Sequence, residues 1–282
     1  MADTAYQTQY RQEFIAGFEQ RQSLLRDTVT TAGTPKGNQY VFLVVDSGGD
    51  EAVTRGTNGL IPAKADNETQ YTAILQEWHD LRRKTSFNIF ASQGNQREIM
   101  QMNTMAVMNR KIDSLIINEL NTGTITLGDS TTIPSVLIFQ RSIVKLQNAA
   151  IPWDSNITLV CQPSFLAYLE MATEFASADY VTTRPYADGD ASWKDRPMVY
   201  KWRNCTIMTH PNLPGKGTSS EKSFMYHKSA MGHAVETGGM GSDVGYDGEQ
   251  DYSYARTSIF MGVKLIQNTG IIVITTDGSQ LG

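Results

Sequence analysis

The residue types that most often perform chemistry in proteins are few in this sequence and are not spaced for catalysis. The four histidines are His79, His210, His227 and His233. No two of them lie four residues apart, and neither cysteine belongs to a CxxC pair, so the spacing predicts no zinc site. A nucleophilic serine has no GxSxG turn to carry it. We therefore predict that the chain is not an enzyme and has no catalytic, metal-binding or cofactor-binding residue.

The stretch TGGMGSDVGYDG at residues 237–248 is rich in glycine and acids, which raises two ligand hypotheses. It matches neither GxxxxGK[ST] nor a GxGxxG pattern after a strand, so phosphate binding has no supporting motif. The carboxylates in and just after it are Asp243, Asp247, Glu249 and Asp251. They could offer oxygen ligands to calcium, but their spacing differs from the DxDxDG pattern of calcium loops. We expect a mobile loop here.

The charge balance argues against a protein that grips DNA over its whole surface. The chain has 282 residues and a formal net charge of −5, whereas nonspecific nucleic-acid binders carry excess Lys and Arg. The compact basic run Arg82-Arg83-Lys84 is explained by a solvated surface or by contact with a neighbour's acidic patch, and is too small to be a DNA site alone. Charged residues make up 19% of the chain, which is consistent with a surface partly covered by partners.

The two cysteines and the first residues indicate a protein that is made and folded in the cytoplasm. Cys161 and Cys205 each lie in a β-like run, and two buried, reduced thiols are a better interpretation than a disulfide or a metal pair. The start, MADTAYQTQYRQEF, lacks the basic flank and apolar stretch of a signal peptide. No apolar run approaches the ~18 residues of a membrane-spanning helix. We expect no membrane partner.

The N-terminal third is predicted to be poor in core-forming residues. Aromatic residues at helical spacing on a Gln-rich segment predict a helix from Tyr6 to Thr28, which either packs in the core or lies as an arm on a neighbouring subunit. The run from Tyr40 to Val45 predicts a strand, and residues 46–62 predict a loop. Thr69 to Ala91 alternates in polarity and predicts two extended segments around Asp80–Lys84.

The strongest local signal is a long helix predicted from Gln96 to Asn121. No Gly or Pro interrupts it, Asn95 is a suitable N-cap, and Gly123 follows as a C-cap. A second helix is predicted over Ile133–Ala150, with Pro134 in its first turn, where proline is tolerated.

Beyond residue 150 the pattern alternates between strands and helices, which predicts an α/β unit. The predicted elements are a strand at Ile157–Cys161, a helix opening at Pro163, an exposed loop at Asp179–Arg196, a strand at Met198–Thr209, a short strand at Phe224–His227, a brief helix at Lys228–His233 and strand composition over Tyr252–Thr276.

Taken in order, these elements resemble the tailed-phage major capsid protein family, which has the Hong Kong ninety-seven type fold. The stretches that carry the resemblance are KIDSLIINELNTG (111–123), ITLVCQPSFLAYLEM (157–171), SFMYHKSAMGHAVE (223–236) and ARTSIFMGVKLIQNTGIIVIT (255–275). The resemblance implies an α+β fold. Its expected parts are an N-terminal arm (1–37), an extended β-loop (38–95), a peripheral domain with a long spine helix (96–125 and 246–270) and an axial α/β domain (126–245 and 271–282).

The resemblance also implies a function and a set of partners. The chain would be a major capsid protein that forms pentamers and hexamers and builds the icosahedral head of a virion. That head would enclose double-stranded DNA without sequence-specific binding. About 37 residues precede the extended loop, so we expect a separate scaffolding protein during assembly in the host cytoplasm. A portal protein is a further expected partner, and a decoration protein is a possible one. Some relatives cross-link through a Lys–Asn bond, but nothing in the sequence identifies a partner for Lys64.

Physical reasoning agrees with the resemblance. Residues 1–95 make up about a third of the 282 residues and contain too few apolar side chains to form a core, and an isolated two-stranded hairpin is marginal in water. We expect these parts to become ordered on neighbouring subunits, as in obligate assemblies. Two alternatives stay open: an encapsulin, which shares the fold and houses cargo enzymes, and an α/β hydrolase or transferase, which a stable monomer would favour.

Overall fold

The computed structural model describes residues 19–32, 35, 37–91, 95–176, 199–236 and 239–281. The strands in these ranges are β1 (Thr30–Thr31), β2 (Gln39–Asp46), β3 (Asn67–Ile74), β4 (Gln76–Thr85), β5 (Thr126–Leu127), β6 (Ile157–Cys161), β7 (Val199–Trp202), β8 (Cys205–Thr209), β9 (Glu221–His227), β10 (Met231–Val235), β11 (Gly241–Asp247), β12 (Tyr252–Leu265) and β13 (Ile271–Thr276). The α-helices are α1 (Ser86–Ala91), α2 (Gln96–Leu120), α3 (Val136–Asn148), α4 (Pro163–Met171) and α5 (Thr173–Ala176). The mixed content confirms the α+β class.

The long helix α2 confirms the strongest sequence prediction. The side chain of Asn95 accepts a hydrogen bond from the Glu98 backbone N–H, as expected of an N-cap. The predicted glycine C-cap is wrong, because Asn121 caps the helix. Gly123 lies in a tight place: a Cβ there would be 3.1 Å from the Ile271 side chain, which would have to yield slightly. None of the described helices, α2 included, is long and apolar enough to span a membrane.

The first sheet is built around the long strand β12. Strand β4 pairs with one edge of β12, while β11 and β10 share the other edge and β1 extends the sheet beside β10. The inner residues of β12 are buried against α2, and the Thr257 hydroxyl donates to the Thr104 hydroxyl at 2.8 Å. Two predictions are wrong here. Residues 241–247 form a strand and not a loose loop, and Lys228–His233 is a single 3₁₀ turn followed by β10, not a brief helix.

The second sheet has the order β5-β13-β9-β6-β8-β7 and is covered on both faces. Side chains along β9 and β13 alternate between two cores. Phe224, Tyr226, Ile271 and Val273 face the core that includes α2, whereas Met225, Ile272 and Ile274 face the core that includes α3 and α4. Every residue of β6 is buried, because the sheet is covered on both faces. The predicted strand at Ile157–Cys161 and the predicted helix from Pro163 are confirmed.

Three boundaries differ from the predictions because turns break the predicted segments. The described part of the predicted strand Met198–Thr209, residues 199–209, is a hairpin with Arg203 and Asn204 at φ 49° and 60° in its two-residue turn. Over Thr69–Ala91 the two strands are separated at Leu75 and not at Asp80–Lys84, which lie within β4. The end of the second predicted segment is the helix α1. Helix α3 begins after its N-cap Ser135, so Pro134 precedes the helix.

The predicted helix from Tyr6 to Thr28 is wrong over the part that the structure describes. Residues 19–25 are irregular, and only Arg26–Thr28 forms a 3₁₀ turn. The reason is tertiary: backbone N–H groups in this segment donate to a carboxylate on α2 and not to helical carbonyls. The remainder of that prediction, and the predicted loop at Asp179–Arg196, lie outside the described residues.

Strands β2 and β3 form an antiparallel hairpin whose base is anchored at two glycines. The Phe42 ring lies over Gly232, where a Cβ would be 2.5 Å from the ring. A Cβ on Gly262 would lie 2.3 Å from the Ile74 carbonyl oxygen, so β12 and the end of β3 approach as closely as glycine permits. Phe42 then packs with Ala73 and its neighbours in a small third core. These contacts set the direction in which the hairpin leaves the body of the chain.

We predict that Gly262→Ala destabilises the subunit by about 2 kcal/mol, because a backbone carbonyl cannot move aside as a flexible side chain can. Thermal unfolding of the unassembled subunit should show a melting temperature lower by roughly 4–8 °C. Gly241→Ala is the matched control, since its Cβ would meet Ser258 at an ordinary 3.5 Å. Equal melting temperatures for the two variants would contradict the close approach.

Candidate assembly surfaces

The residues that the sequence offered for chemistry do not converge on one site. His79 contacts Glu77 at 2.5 Å, and His227 lies between Asp154 at 2.9 Å and Ser229 at 2.7 Å. Within the described ranges, no group of three or more His, Cys, Asp or Glu residues could hold a metal ion.

The cysteines are buried, as predicted, and are not joined to each other. Burial raises the pKa of the Cys205 thiol to about 12 and that of Cys161 further still. Both thiols therefore stay protonated and unreactive at neutral pH.

The acids and the basic run are largely engaged within the chain. Asp251 accepts hydrogen bonds from Ser86 and Tyr246, both at 2.6 Å, and these bonds lower its pKa. Arg83 lies over the Tyr252 ring at 4.7 Å, and Lys84 donates to Gln96. Residues 82–84 therefore stabilise the end of the first sheet. This role agrees better with a solvated surface than with a DNA-binding site.

The carboxylate of Asp113, on α2, is buried and accepts hydrogen bonds from the N-terminal segment. Its Oδ1 accepts from the Ser23 hydroxyl at 2.6 Å and from the Leu25 backbone N–H at 3.1 Å. Its Oδ2 accepts from the Leu24 backbone N–H at 3.0 Å and from the Gln20 amide. One side chain on α2 therefore fastens residues 20–25, a segment whose own backbone forms no helix.

A second element meets the same carboxylate through His210, which follows β8. Its Nε2 lies 3.2 Å from Asp113 Oδ2, while its Nδ1 accepts from the Asn212 backbone N–H at 3.1 Å. This pattern fits a neutral ring with its proton on Nε2, donating to Asp113. Burial raises the pKa of Asp113, but the hydrogen bonds from His210, the Leu24 and Leu25 backbone and Ser23 outweigh it and leave the pKa below its ordinary value.

Further contacts extend the attachment of residues 19–28, which we call the arm clasp. Arg110 forms an ion pair with Glu19 at 2.7 Å, and Asn109 donates to the Arg21 carbonyl at 2.7 Å. At the other end, the Thr28 hydroxyl lies 2.5 Å from the Tyr226 hydroxyl of the second sheet. The clasp therefore joins the N-terminal segment, α2 and the second sheet.

His233 is a buried polar side chain beside the arm clasp. It is fully buried, and neither ring nitrogen has a hydrogen-bond partner among the described residues. Its backbone carbonyl accepts from the Ala32 N–H at 2.8 Å, which ties β10 to the chain after β1. Burial, and secondarily the charge of Arg26, lowers the pKa of His233 to about 4.

The hairpin presents an apolar face to solvent. Val41, Leu43 and Val45 are 46%, 54% and 52% exposed, while the intervening Phe42 is buried in the third core. A strand that is apolar on both faces is typical of one that is covered on both faces. This subunit covers only one face of β2, and only near the hairpin base.

A second exposed apolar row lies on α3. Leu137 and Val144 are both more than half exposed and lie seven residues apart, so they occupy one face of the helix. The opposite face carries Phe139 and Leu146 into the core against the second sheet. Helix α3 is therefore apolar on two sides, which is typical of a helix that is buried between partners.

A comparison with family models identifies one family over nearly the whole chain. The model of the phage capsid protein family matches residues 2–277. No curated protein matches the chain in sequence.

Solved phage structures have the same fold. A protein of Mycobacterium phage Che8 superposes with a TM-score of 0.72 at 15% identity, with 97% of this chain and 98% of that chain covered. The cyanophage Pam1 capsid gives a TM-score of 0.73 at 10% identity, covering 99% and 98%. The cyanophage P-SCSP1u capsid gives 0.73 at 9% identity, covering 96% and 93%. The predicted Hong Kong ninety-seven type fold is confirmed.

We predict that Asp113→Asn destabilises the subunit by about 3 kcal/mol, because the amide keeps one acceptor oxygen where the carboxylate has two. Trypsin should then cleave after Arg21 and Arg26, and mass spectrometry would identify the fragments. Asp66→Asn, at an exposed loop carboxylate, is the control. It should resist cleavage at these two sites as the unmodified protein does. If Asp113→Asn is equally resistant, the carboxylate does not hold the clasp.

We predict a loss of stability between pH 6.5 and pH 4 that arises from His233. The unfolded chain binds a proton near pH 6.5 but the folded chain only near pH 4, so stability present above pH 6.5 falls by about 3 kcal/mol across this window. His233→Phe should flatten the curve of unfolding free energy against pH there. An unchanged slope would show that other groups cause the loss of stability. Asp113 does not contribute in this window, because its pKa is lowered and it affects stability only below about pH 4.

Proposed function

The chain belongs to the phage capsid protein family, and from this premise we propose that it builds the icosahedral head of a tailed phage from pentamers and hexamers. In this proposal the shell encloses double-stranded DNA and the subunit has no catalytic activity. The single observation that carries the proposal is the exposed apolar face of β2. Monomeric soluble proteins rarely expose a contiguous apolar face, and such faces mark interaction sites.

The physical argument for assembly is that the subunit buries its core but leaves one apolar face of the hairpin exposed. The second sheet is covered on both faces within one chain, whereas residues 41–45 of the hairpin are covered on one face only. Burial removes apolar surface from water at about 25 cal/mol per Å², so a neighbouring copy that covers the hairpin gains stability. Such contacts between unlike surfaces close into rings when the rotation between copies allows it.

We propose a division of the chain that differs slightly from the one expected from the sequence. The arm (1–37) and extended loop (38–95) keep their expected bounds, although β4 within the latter pairs with β12. The peripheral part would gain residues 231–245, because β10 and β11 pair with β12 in the first sheet. The axial part would then be 126–230 and 271–282, built on the second sheet.

The remaining partners follow from the same proposal. A net charge of −5 suits a wall that surrounds DNA without gripping it. We propose a separate scaffolding protein and a portal protein as assembly partners, with a decoration protein as a further possibility. Assembly would take place in the host cytoplasm, and the finished subunit would reside in the virion.

Electron microscopy of the purified, expressed protein tests the proposal. We expect closed shells of uniform diameter with fivefold and sixfold clusters of subunits, and DNA inside the particles when the other phage proteins are present. A monodisperse monomer at micromolar concentration would overturn it. Shells that contain protein cargo in place of DNA would favour an encapsulin instead.

We predict that replacing Val41, Leu43 and Val45 together by Ser abolishes shell formation and leaves the subunit folded. About half of each side chain faces solvent, and none belongs to a core cluster of the subunit, so their loss should remove apolar contact area mainly in the assembly. The matched control is Gln70→Ser with Thr72→Ser, which lie opposite Leu43 and Val41 on the same face. Sedimentation should show shells for the control and slow subunits of native circular dichroism for the triple variant.

A further inference from the structure

One asparagine of the chain is followed by a glycine. Asn58 precedes Gly59, whereas every other asparagine of the sequence precedes a residue that has a Cβ. Because glycine has no Cβ, its backbone nitrogen is open to approach from the preceding side chain. This nitrogen can attack an asparagine amide carbon that reaches it, so the pair is a candidate site of chemical modification.

The turn that contains Asn58 is exposed, and its hydrogen bonds hold the asparagine side chain over the backbone. Residues 56–60 are all exposed. The Gly56 N–H donates to the Leu60 carbonyl at 3.0 Å, and the Gly59 N–H donates to the Gly56 carbonyl at 2.8 Å. The Leu60 N–H donates to Asn58 Oδ1 at 3.2 Å. A Cβ on Gly56 would lie 2.8 Å from the same oxygen, so the amide is folded back over the turn.

One of these bonds assists an attack of the Gly59 nitrogen on the Asn58 side chain. When the nitrogen adds to the amide carbon Cγ, the oxygen Oδ1 becomes negative. The Leu60 N–H already points at this oxygen, and a fixed donor at a developing oxyanion lowers the barrier. A second bond opposes the attack, because the Gly59 N–H must first leave the Gly56 carbonyl. In an exposed turn water replaces that acceptor, and such turns open at little cost in free energy.

We propose that Asn58 of the folded subunit is modified spontaneously, through a cyclic imide formed with the Gly59 nitrogen. The bond between that nitrogen and Cγ forms, the bond between Cγ and Nδ2 breaks, and ammonia leaves with the proton that the Gly59 nitrogen loses. Water then opens the ring at either carbonyl. One product is an ordinary aspartate in place of Asn58. The other is a β-linked aspartate, in which the backbone runs through the side-chain carbons.

Both products change the turn. Each carries a carboxylate where the amide was neutral, which adds a negative charge three residues from Arg55. The β-linked product also lengthens the backbone between positions 58 and 59, inside the segment that the bond from Gly56 to Leu60 closes. The turn is therefore remodelled in that product. The reaction takes place in the free subunit and does not depend on shell formation.

Incubation of the purified, unassembled subunit in mildly alkaline buffer made with heavy-oxygen water tests the site. After denaturation, trypsin cuts after Arg55 and Lys64 and releases residues 56–64. We expect this peptide to lose the amide nitrogen and to gain one heavy oxygen, in two products that chromatography separates and mass spectrometry identifies. The peptide that contains Asn212, an exposed asparagine followed by leucine, is the internal control and should keep its mass.

Two variants test whether the Gly59 nitrogen is the attacking group. Asn58→Gln moves the amide carbon one methylene further along the side chain and should abolish the reaction. Gly59→Ala places a Cβ beside the nitrogen, and nothing else in the described subunit lies within 4 Å of that Cβ. This variant should stay folded and convert about tenfold more slowly. Equal rates for Gly59→Ala and the unmodified chain would contradict attack by this nitrogen.

A synthetic peptide of residues 56–64 carries the same Asn–Gly pair without the folded turn and sets the length of the incubation. The folded subunit is analysed when this peptide is largely converted. Labelled products in the subunit at that time would support the proposal. A subunit that still keeps the Asn58 amide would overturn it, whether or not the chain forms shells.

Discussion

The buried carboxylate of Asp113 is the interaction on which the arrangement of the chain's parts depends. It accepts hydrogen bonds from the N-terminal segment through Ser23 and the Leu24 and Leu25 backbone, and from the loop after β8 through His210. A buried charge is costly unless every oxygen is paired, so these donors must converge in one geometry. The carboxylate thus specifies how three distant segments meet, which apolar packing alone defines less sharply.

The hairpin is held in a different way. Among the described residues its attachment is apolar: Phe42 and its neighbours form the third core, the Phe42 ring lies against Gly232, and the Ile74 backbone lies against Gly262. Glycine at these two positions permits the base of the hairpin to approach the first sheet closely, and this fixes the position from which its exposed face extends. In the proposed shell, other copies would cover and stabilise the hairpin that the well-packed body of the subunit holds in this direction.

Local signals made part of this fold predictable from the sequence. Uninterrupted helical periodicity identified α2, and apolar runs identified β2 and β6. Pairing between distant segments was not predictable: β11 contains glycine and aspartate and becomes a strand through β12, and residues 19–25 lose helical structure to Asp113. The one available signal for the clasp was Asp113 itself, an acidic residue on the buried side of a helix, between Ile112 and the apolar pair at 116–117.

The two attachments within the subunit should both withstand a change of ionic strength. The third core and the glycine contacts are apolar and close-packed, so salt has little effect on them. The clasp relies on a buried carboxylate with a lowered pKa, which screening reaches only weakly. A change of ionic strength should therefore leave the folded subunit intact, and in the proposed shell it would act on the contacts between subunits.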